Sequence, residues 1–146
     1  MKKTSVPLVI AFTPDYFIPA ATCLYSIITS MQAEGELHVI CLLSEELPER
    51  LKLKIQLIGE GRTCYSFVNL QGKLQHIYID QKYTEAASYR LLLPDLLPEY
   101  KKVIYIDCDI IVRNDLVQLY HSIDLGMNYL AAVFEASMDF QLDHLM

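Results

Sequence analysis

Two aspartates, Asp107 and Asp109, stand one residue apart at the end of the most strongly apolar strand pattern in the chain, residues 103–106. In an extended chain, side chains at i and i+2 lie on the same face, so the pattern predicts that both carboxylates project together while Cys108 points away. Neighbouring anions beside an apolar core cost free energy unless a cation joins them. Carboxylate oxygens suit Mg²⁺ or Mn²⁺, which proteins often hold with one or two carboxylates and substrate phosphates. The pair therefore predicts a divalent-metal site for a phosphate-bearing ligand.

Two other interpretations of the aspartate pair are open. Aspartates that follow a strand can simply cap the next turn. Haloacid-dehalogenase-like phosphatases also place Asp-x-Asp after an apolar strand, where the first aspartate is the nucleophile. Their pattern normally continues with Gly-Thr or a similar small hydroxyl pair near the start of the chain. Here Ile110, Ile111 and Val112 follow, late in the chain, so the phosphatase pattern fits poorly.

The elements that must position this pair alternate between strand and helix patterns, which predicts an α/β fold with a parallel sheet in one domain, 1–146. Predicted strands cover 6–12, 37–43, 65–70, 103–106 resuming at 110–112, and 129–134 ending at Glu135. Predicted helices cover 20–31, 84–97 and 115–120, and Pro94 and Pro98 break the second of these. A further predicted helix is N-capped by Ser44 and stopped by Gly59 and Gly61. Residues 71–82 suit either a short strand or a packed loop. Ligands of open α/β sheets bind at the carboxyl ends of strands, where the aspartate pair lies.

Composition and charge exclude several classes of protein. A chain of 146 residues with 53% hydrophobic residues can bury a core, which excludes a disordered protein. A net charge of −6 creates no field that attracts nucleic acid. The four cysteines contain no C-x-x-C pair, which favours buried, reduced thiols in a cytoplasmic protein. No apolar run approaches the roughly 20 residues that span a bilayer, and Pro7, Pro14 and Asp15 interrupt the N-terminal run that looks like a signal peptide.

Arg90 is a candidate ligand-binding residue because it lies on a mostly apolar helical pattern. A charge in such a place needs an anionic partner. That partner is either a bound phosphate or a carboxylate at helical spacing, Asp95 or Glu99.

Aromatic and histidine side chains have competing interpretations. Tyr16, after the first strand, is as consistent with core packing as with stacking on a ligand. His38 and His76 lie in apolar segments without a cluster of other ligands, which favours packed or hydrogen-bonded rings over metal ligands. His144, near the terminus, is expected at the surface.

The sequence resembles glycosyltransferase family 8, the retaining, nucleotide-sugar-dependent enzymes related to glycogenin and to bacterial lipopolysaccharide galactosyl- and glucosyltransferases. The resemblance covers nearly the whole chain and is carried by VPLVIAFTPDY, EAASYRLLLPDLLPEYKKVIYIDCDIIV and DLVQLYHSIDLGMNYLAAVFEA. It implies a Rossmann-like GT-A fold and the transfer of a hexose from a UDP-sugar to a saccharide or glycolipid acceptor. It also implies Mn²⁺, or Mg²⁺, as cofactor and a cytoplasmic parent protein that can lie at the inner membrane.

The resemblance implies roles for five residues around the donor's diphosphate and sugar. Asp107 and Asp109 match the D-x-D that binds the metal bridging the diphosphate of UDP, and the main chain of Cys108 would lie against the ribose. Arg90 matches a basic residue that reaches the donor's phosphates or sugar. Glu135 falls where the family usually has an aspartate near the donor sugar, and it is one methylene longer.

The resemblance also implies a site for the base at the end of the first strand. Ala11, Phe12 and Thr13 match the strand edge that holds the uracil. Tyr16 matches an aromatic residue that packs on the base. Thr13 stands where many members have Asp or Asn, which would weaken the base contact or alter the choice of nucleotide.

Members of the resembled family carry a second half, with a histidine metal ligand and a Gln-Asp pair beside the sugar. This chain ends at Met146 before either feature, so we expect the donor-binding half of a transferase. We also expect an apolar surface where the second half would pack, which would favour self-association. A second hypothesis is a UDP-sugar-binding fragment without turnover.

Overall fold

The computed structural model describes residues 5–32, 35–74 and 85–133. Within them the strands are β1 (Val6–Phe12), β2 (Leu37–Leu43), β3 (Thr63–Asn69) and β4 (Ile104–Asp107). The helices are α1 (Phe17–Ser30), α2 (Glu49–Gln56), α3 (Glu85–Ser88), α4 (Leu93–Leu96) and α5 (Leu116–Ser122), and Pro14–Tyr16 and Tyr89–Leu92 are short 3₁₀ segments.

The strands form one parallel sheet in the order β3-β2-β1-β4, which confirms the predicted α/β fold. The chain passes outward from β1 to β2 and β3, then returns to place β4 on the other side of β1. The strand order therefore reverses between β1 and β4. Ala11 pairs with Asp107 at the carboxyl ends of these two strands. This reversal point is where open α/β sheets bind their ligands.

The sheet is covered on both faces, which explains why β1 is buried along its whole length. On one face, called here the α1 face, Ile10 and Phe12 pack with Cys23 and Ile27 of α1. On the other, called here the Tyr89 face, Ala11 packs with Tyr89 and its neighbours. Alternate residues of one strand thus reach two separate cores.

The predicted bounds of β1 and β2 are confirmed, and most other elements shift by a few residues. α1 begins three residues before the predicted segment, and β3 covers Thr63–Asn69 instead of 65–70. The predicted segment 84–97 is divided among α3, the 3₁₀ segment Tyr89–Leu92 and α4, with Pro94 in the first turn of α4. Residues 71–74 form a turn, and residues 75–84 lie outside the described parts of the chain.

The predicted N-cap at Ser44 is wrong, because α2 begins only at Glu49, directly after Pro48. The intervening chain buries Leu47 completely in the core. A residue that precedes a proline is also disfavoured in the helical region. Burial of Leu47 and the position of Pro48 therefore delay the helix.

Two predicted strand segments are also wrong. Residues 110–112 leave the sheet, because the N–H of Val112 donates to Ser26 Oγ and its carbonyl accepts from Ser30 Oγ, both in α1. Residues 129–133 form no strand, and Tyr129 and Val133 are almost fully exposed. A strand needs a hydrogen-bonding neighbour as well as an apolar pattern.

The cysteines are mostly buried, as expected: Cys23, Cys41 and Cys108 lie in the core, whereas Cys64 of β3 is exposed. Burial raises the pKa of Cys23 to about 11. Across the three described ranges, no helix combines the length and the apolar character needed to cross a membrane.

Candidate functional site

The aspartate pair lies at the reversal point of the sheet. Asp107 is the last residue of β4, and its side chain is 58% exposed. Asp109 is exposed as well, whereas Cys108 is buried between them. The hydrogen-bonded pairing of β1 with β4 holds Asp107 beside Ala11. The sheet thus presents a carboxylate to solvent where its buried interior ends.

The chain turns at Cys108 and Asp109, so the strand alternation used to predict a common face ends at Asp107. Asp107 lies on the Tyr89 face of the sheet, because it is paired with Ala11. Cys108 packs on the α1 face. Burial and, after it, the charge of Asp109 raise the pKa of the Cys108 thiol. The position of Asp109 therefore depends on the segment after the strand.

Three contacts hold the Arg90 side chain at the end of β4, beside Asp107. Its Nε donates to the carbonyl oxygen of Ala87 in the preceding helix α3, at 2.7 Å. Its Nη2 lies 3.5 Å from Asp107 Oδ1, and its guanidinium carbon lies 5.0 Å from the centre of the Tyr105 ring. The guanidinium is thereby fixed over the end of β4.

Arg90 is therefore paired with Asp107. The carboxylates predicted from helical spacing, Asp95 and Glu99, are not its partners. The pair is long, and the side chain of Arg90 is 48% exposed. Exposed ion pairs contribute little to stability. The half-exposed guanidinium is therefore accessible to a ligand at the site.

Tyr89 holds the segment that carries Arg90, a role that the sequence reasoning missed. Its side chain is fully buried on the sheet, and its hydroxyl donates to the carbonyl oxygen of Leu70 at 3.4 Å. Burial raises its pKa to about 12. Tyr89 faces inward, and the next residue, Arg90, is rotated by about 120° along the 3₁₀ segment and is exposed. A large aromatic beside a charge in a short apolar helix was the signal available in the sequence.

The end of β1 places the other predicted residues at the same edge of the sheet. Phe12 is 1% exposed and Ala11 is 7% exposed, so their side chains serve the core. Thr13 precedes the 3₁₀ segment, where its carbonyl accepts from the N–H of Tyr16 at 2.9 Å and its hydroxyl makes no capping bond. Tyr16 is 48% exposed, which argues against core packing. Glu135 lies outside the described residues.

His38 is hydrogen-bonded through both ring nitrogens, as predicted. Its Nε2 lies 2.7 Å from Ser66 Oγ and its Nδ1 lies 2.5 Å from the Tyr100 hydroxyl. Burial lowers its pKa. His76 and His144 lie outside the described residues.

The donor set at the strand end suits a metal ion whose shell is completed by a ligand. Asp107 and Asp109 provide exposed, hard oxygen donors. Within the described residues, no three His, Cys, Asp or Glu side chains are grouped closely enough to hold a metal by themselves. Two carboxylates fit Mg²⁺ or Mn²⁺ with water and phosphate as the other ligands. A closed protein cage for the ion is not formed by these residues.

Comparison with known proteins gives a family match over most of the chain. The profile of glycosyl transferase family 8 matches residues 7–144. General stress protein A of Bacillus subtilis is 24% identical over 149 residues, which cover 99% of this chain and 52% of that protein. Glycosyltransferase GlyE of Streptococcus pneumoniae is 32% identical over 103 residues, 64% of this chain and 23% of GlyE. The chain thus spans about half the length of the first relative and less of the second.

Solved structures match the fold over 93% of the chain. The apo structure of the bifunctional glycosyltransferase WbbM has a TM-score of 0.79 at 25% identity, and the match covers 24% of that chain. The galactosyltransferase LgtC, solved in complex with donor and acceptor sugar analogues, has a TM-score of 0.69 at 22% identity, with 49% of its chain covered. These matches confirm the GT-A fold expected from the resemblance. The chain belongs to glycosyl transferase family 8.

Proposed function

We propose that this chain binds the UDP-sugar donor of a metal-dependent hexosyltransferase that retains the anomeric configuration. The observation that carries the proposal is the meeting of Arg90 with Asp107 at the reversal point of the sheet. The guanidinium of Arg90 and the carboxylate of Asp107 are both exposed there, at an edge where open α/β sheets bind ligands. Membership of family 8 supplies the reaction class.

In this proposal Arg90 binds the donor's diphosphate. Its Nε is already engaged with Ala87, and its Nη2 has only a long contact of 3.5 Å with Asp107, in a side chain that is 48% exposed. A planar guanidinium forms strong, charge-assisted hydrogen bonds with phosphate oxygens. Because the Tyr105 ring and the Ala87 carbonyl already order the side chain, binding a phosphate costs little additional conformational entropy.

Asp107 and Asp109 are proposed to hold Mn²⁺, or Mg²⁺. When bound, the ion supplies Lewis-acid stabilisation of the charge on the departing UDP. Asp107 is held in place by β4, and its carboxylate is more than half exposed and accessible to the ion. Asp109 adds a second exposed carboxylate from the following turn.

The base and the donor sugar are assigned to residues at the end of β1 and beyond the described residues. The main chain of Ala11 and Phe12 would contact the uracil, with the Thr13 hydroxyl beside it and the half-exposed Tyr16 ring stacked on it. The main chain of Cys108 would lie against the ribose, and Glu135 near the donor sugar. The acceptor proposed is a saccharide or a glycolipid.

Calorimetry with UDP in the presence and absence of Mn²⁺ tests the donor site. We expect Mn²⁺ to tighten UDP binding to the unmodified chain, and Asp109→Ala to remove that effect without unfolding the protein, since Asp109 is exposed. Glu60→Ala is the matched control, because it removes an exposed carboxylate from the turn after α2. Equal affinity for UDP with and without Mn²⁺ in the unmodified chain would refute the metal bridge.

A second candidate is donor binding without turnover by residues 1–146 alone. The observation that favours it is coverage, because the chain spans about half of General stress protein A and of LgtC. Catalysis requires a positioned acceptor and a water-excluded site as well as a bound donor. Consumption of UDP-sugar by this chain, compared with a full-length family member under the same conditions, separates the two candidates. Comparable turnover would refute the binding-only alternative.

A further inference from the structure

The segment that carries Asp109 runs from β4 to α5 along the side of α1. Its first residue, Asp107, is held in the sheet by the pairing with β1. Its last residue, Asp115, caps α5 and accepts a hydrogen bond at Oδ2 from the N–H of Gln32, 2.9 Å away, just after α1. Asp109 lies between these two anchors. Residues 107–115 are therefore tied to rigid elements at both ends.

Two serines of α1 provide a third anchor in the middle of this segment. The N–H of Val112 donates to Ser26 Oγ at 2.9 Å, and the Val112 carbonyl accepts from Ser30 Oγ at 2.9 Å. Ser26 Oγ donates its own proton to the carbonyl of Cys23 at 2.7 Å, which leaves its lone pairs for Val112. Side chains of a helix thus replace the neighbouring strand that the backbone of Val112 would otherwise need.

The helix that carries these serines is itself fixed to the sheet. Residues at i, i+3 and i+7 lie on one face of a helix, and Cys23, Ser26 and Ser30 have this spacing. Cys23 and Ile27 are buried against β1, and the Cys23 thiol lies 3.8 Å from the carbonyl oxygen of Asp107. One face of α1 therefore follows the whole path from Asp107 to Val112.

We infer that Ser26 and Ser30 are positioning residues that fix the loop carrying Asp109, so that Asp109 is held at the end of β4 before a ligand arrives. The inference rests on the proposed function, since it concerns how the second carboxylate reaches the metal and the diphosphate. Neither serine touches the ligand in this arrangement. Loss of either hydroxyl loosens the loop, and binding must then order it again.

Amide hydrogen exchange tests whether the serines hold the loop, without any metal present. In Ser26→Ala we expect the Val112 amide to exchange about tenfold faster, the scale of one lost hydrogen bond. Thr29→Ala is the matched control, because the Thr29 hydroxyl donates to the Tyr25 and Ser26 carbonyls of α1 itself. Unchanged exchange at Val112 in a folded Ser26→Ala protein, shown by unchanged protection of β1, would overturn the inference.

Calorimetry with Mn²⁺ and UDP tests whether holding the loop matters for the site. We expect Ser26→Ala and Ser30→Ala to weaken Mn²⁺-dependent UDP binding about three- to tenfold, and Ser30→Thr, which keeps the hydroxyl, to restore it. UDP binding without Mn²⁺ should not change in any of these variants. A general loss of stability would weaken that binding too, so the comparison separates the two causes. Ser30 is half-buried at the end of α1, so its variants remain informative if Ser26→Ala does not fold.

The outcomes separate this inference from the proposed function. If the unmodified chain shows Mn²⁺-dependent UDP binding and both alanine variants match it, the positioning role is refuted and the donor site stands. If the unmodified chain shows no dependence on Mn²⁺, the proposed metal site is refuted together with the role of the loop in it. The exchange measurement then decides separately whether the two serines hold the loop.

Discussion

Replacing Arg90 with alanine separates a ligand-binding role from a structural one. In the folded protein the side chain makes an ion pair at 3.5 Å in which both partners are about half exposed. Such a pair contributes about 0–1 kcal/mol, and the exposed contact with the Tyr105 ring adds about 0.5–1 kcal/mol. The Nε hydrogen bond to the Ala87 carbonyl is lost as well and adds about 0.5–1.5 kcal/mol. Arg90→Ala should therefore lower the free energy of unfolding by about 1–3.5 kcal/mol.

Arg90→Ala should also weaken ligand binding, which is measured separately from stability. A hydrogen bond to a charged group contributes about 1.5–3 kcal/mol. Since about 1.4 kcal/mol corresponds to a tenfold change, the affinity for UDP should fall about 10- to 150-fold. The variant also leaves Asp107 without its cationic neighbour, so binding of Mn²⁺ alone should not weaken.

The assay is calorimetry with UDP and Mn²⁺, accompanied by thermal unfolding of each variant. Arg90→Lys keeps the charge but loses the planar fork, and should fall between the unmodified protein and Arg90→Ala. Arg50→Ala removes an exposed arginine of α2 and controls for the change in net charge. A large loss of thermal stability together with unchanged UDP affinity would refute the reasoning, because it would make Arg90 a structural ion-pair residue.

Three further predictions follow from the buried polar groups and thiols. Burial lowers the pKa of His38 below its ordinary 6.5, so the unfolded state binds more protons below that pH. The stability that this shift contributes is present above pH 6.5 and is lost as the pH falls from 6.5 through the lower pKa of the folded state. Urea denaturation should therefore show a steeper loss of stability on acidification in the unmodified protein than in His38→Gln, and parallel losses would contradict this. Iodoacetamide should modify the exposed Cys64 first and the buried Cys41 last, as read by mass spectrometry of peptides, and the reverse order would be incompatible with the fold. Tyr89→Phe should lower the free energy of unfolding by about 0.5–1.5 kcal/mol, the contribution of a typical hydrogen bond. Tyr89→Ala should lower it by about 3–5 kcal/mol, because it leaves a cavity in the core. Equal effects of the two variants in chemical denaturation would show that the ring is not packed.

Local sequence was sufficient to predict the two central strands. β1 and β2 are continuous apolar runs, each ending at polar or turn-forming residues, and their predicted bounds agree with the structure. A strand buried on both faces needs no alternation of polar and apolar residues, so such a run carries its own signal. The position of Asp107 at the end of β4 followed from the same kind of information, because polarity changes abruptly at the edge of the core.

Tertiary structure decided where the chain goes after β4. Residues 110–112 are as apolar as a strand, yet Val112 bonds to Ser26 and Ser30, which precede it by 86 and 82 positions. An apolar pattern records which side chains are buried, but it does not record which element satisfies the main chain. Ser26 and Ser30 look like ordinary helix residues in the sequence, because the residues around them do not show that a loop will pack beside the helix.

The partner of Arg90 was also decided by tertiary structure. Helical spacing offered Asp95 and Glu99, which are close in sequence, whereas the fold brings Arg90 to Asp107 by packing Tyr89 on the sheet. Burial of the large aromatic side chain contributes more free energy than any exposed ion pair. The hydrophobic residue therefore sets the orientation of the segment, and the charged residue takes the partner that this orientation leaves within reach.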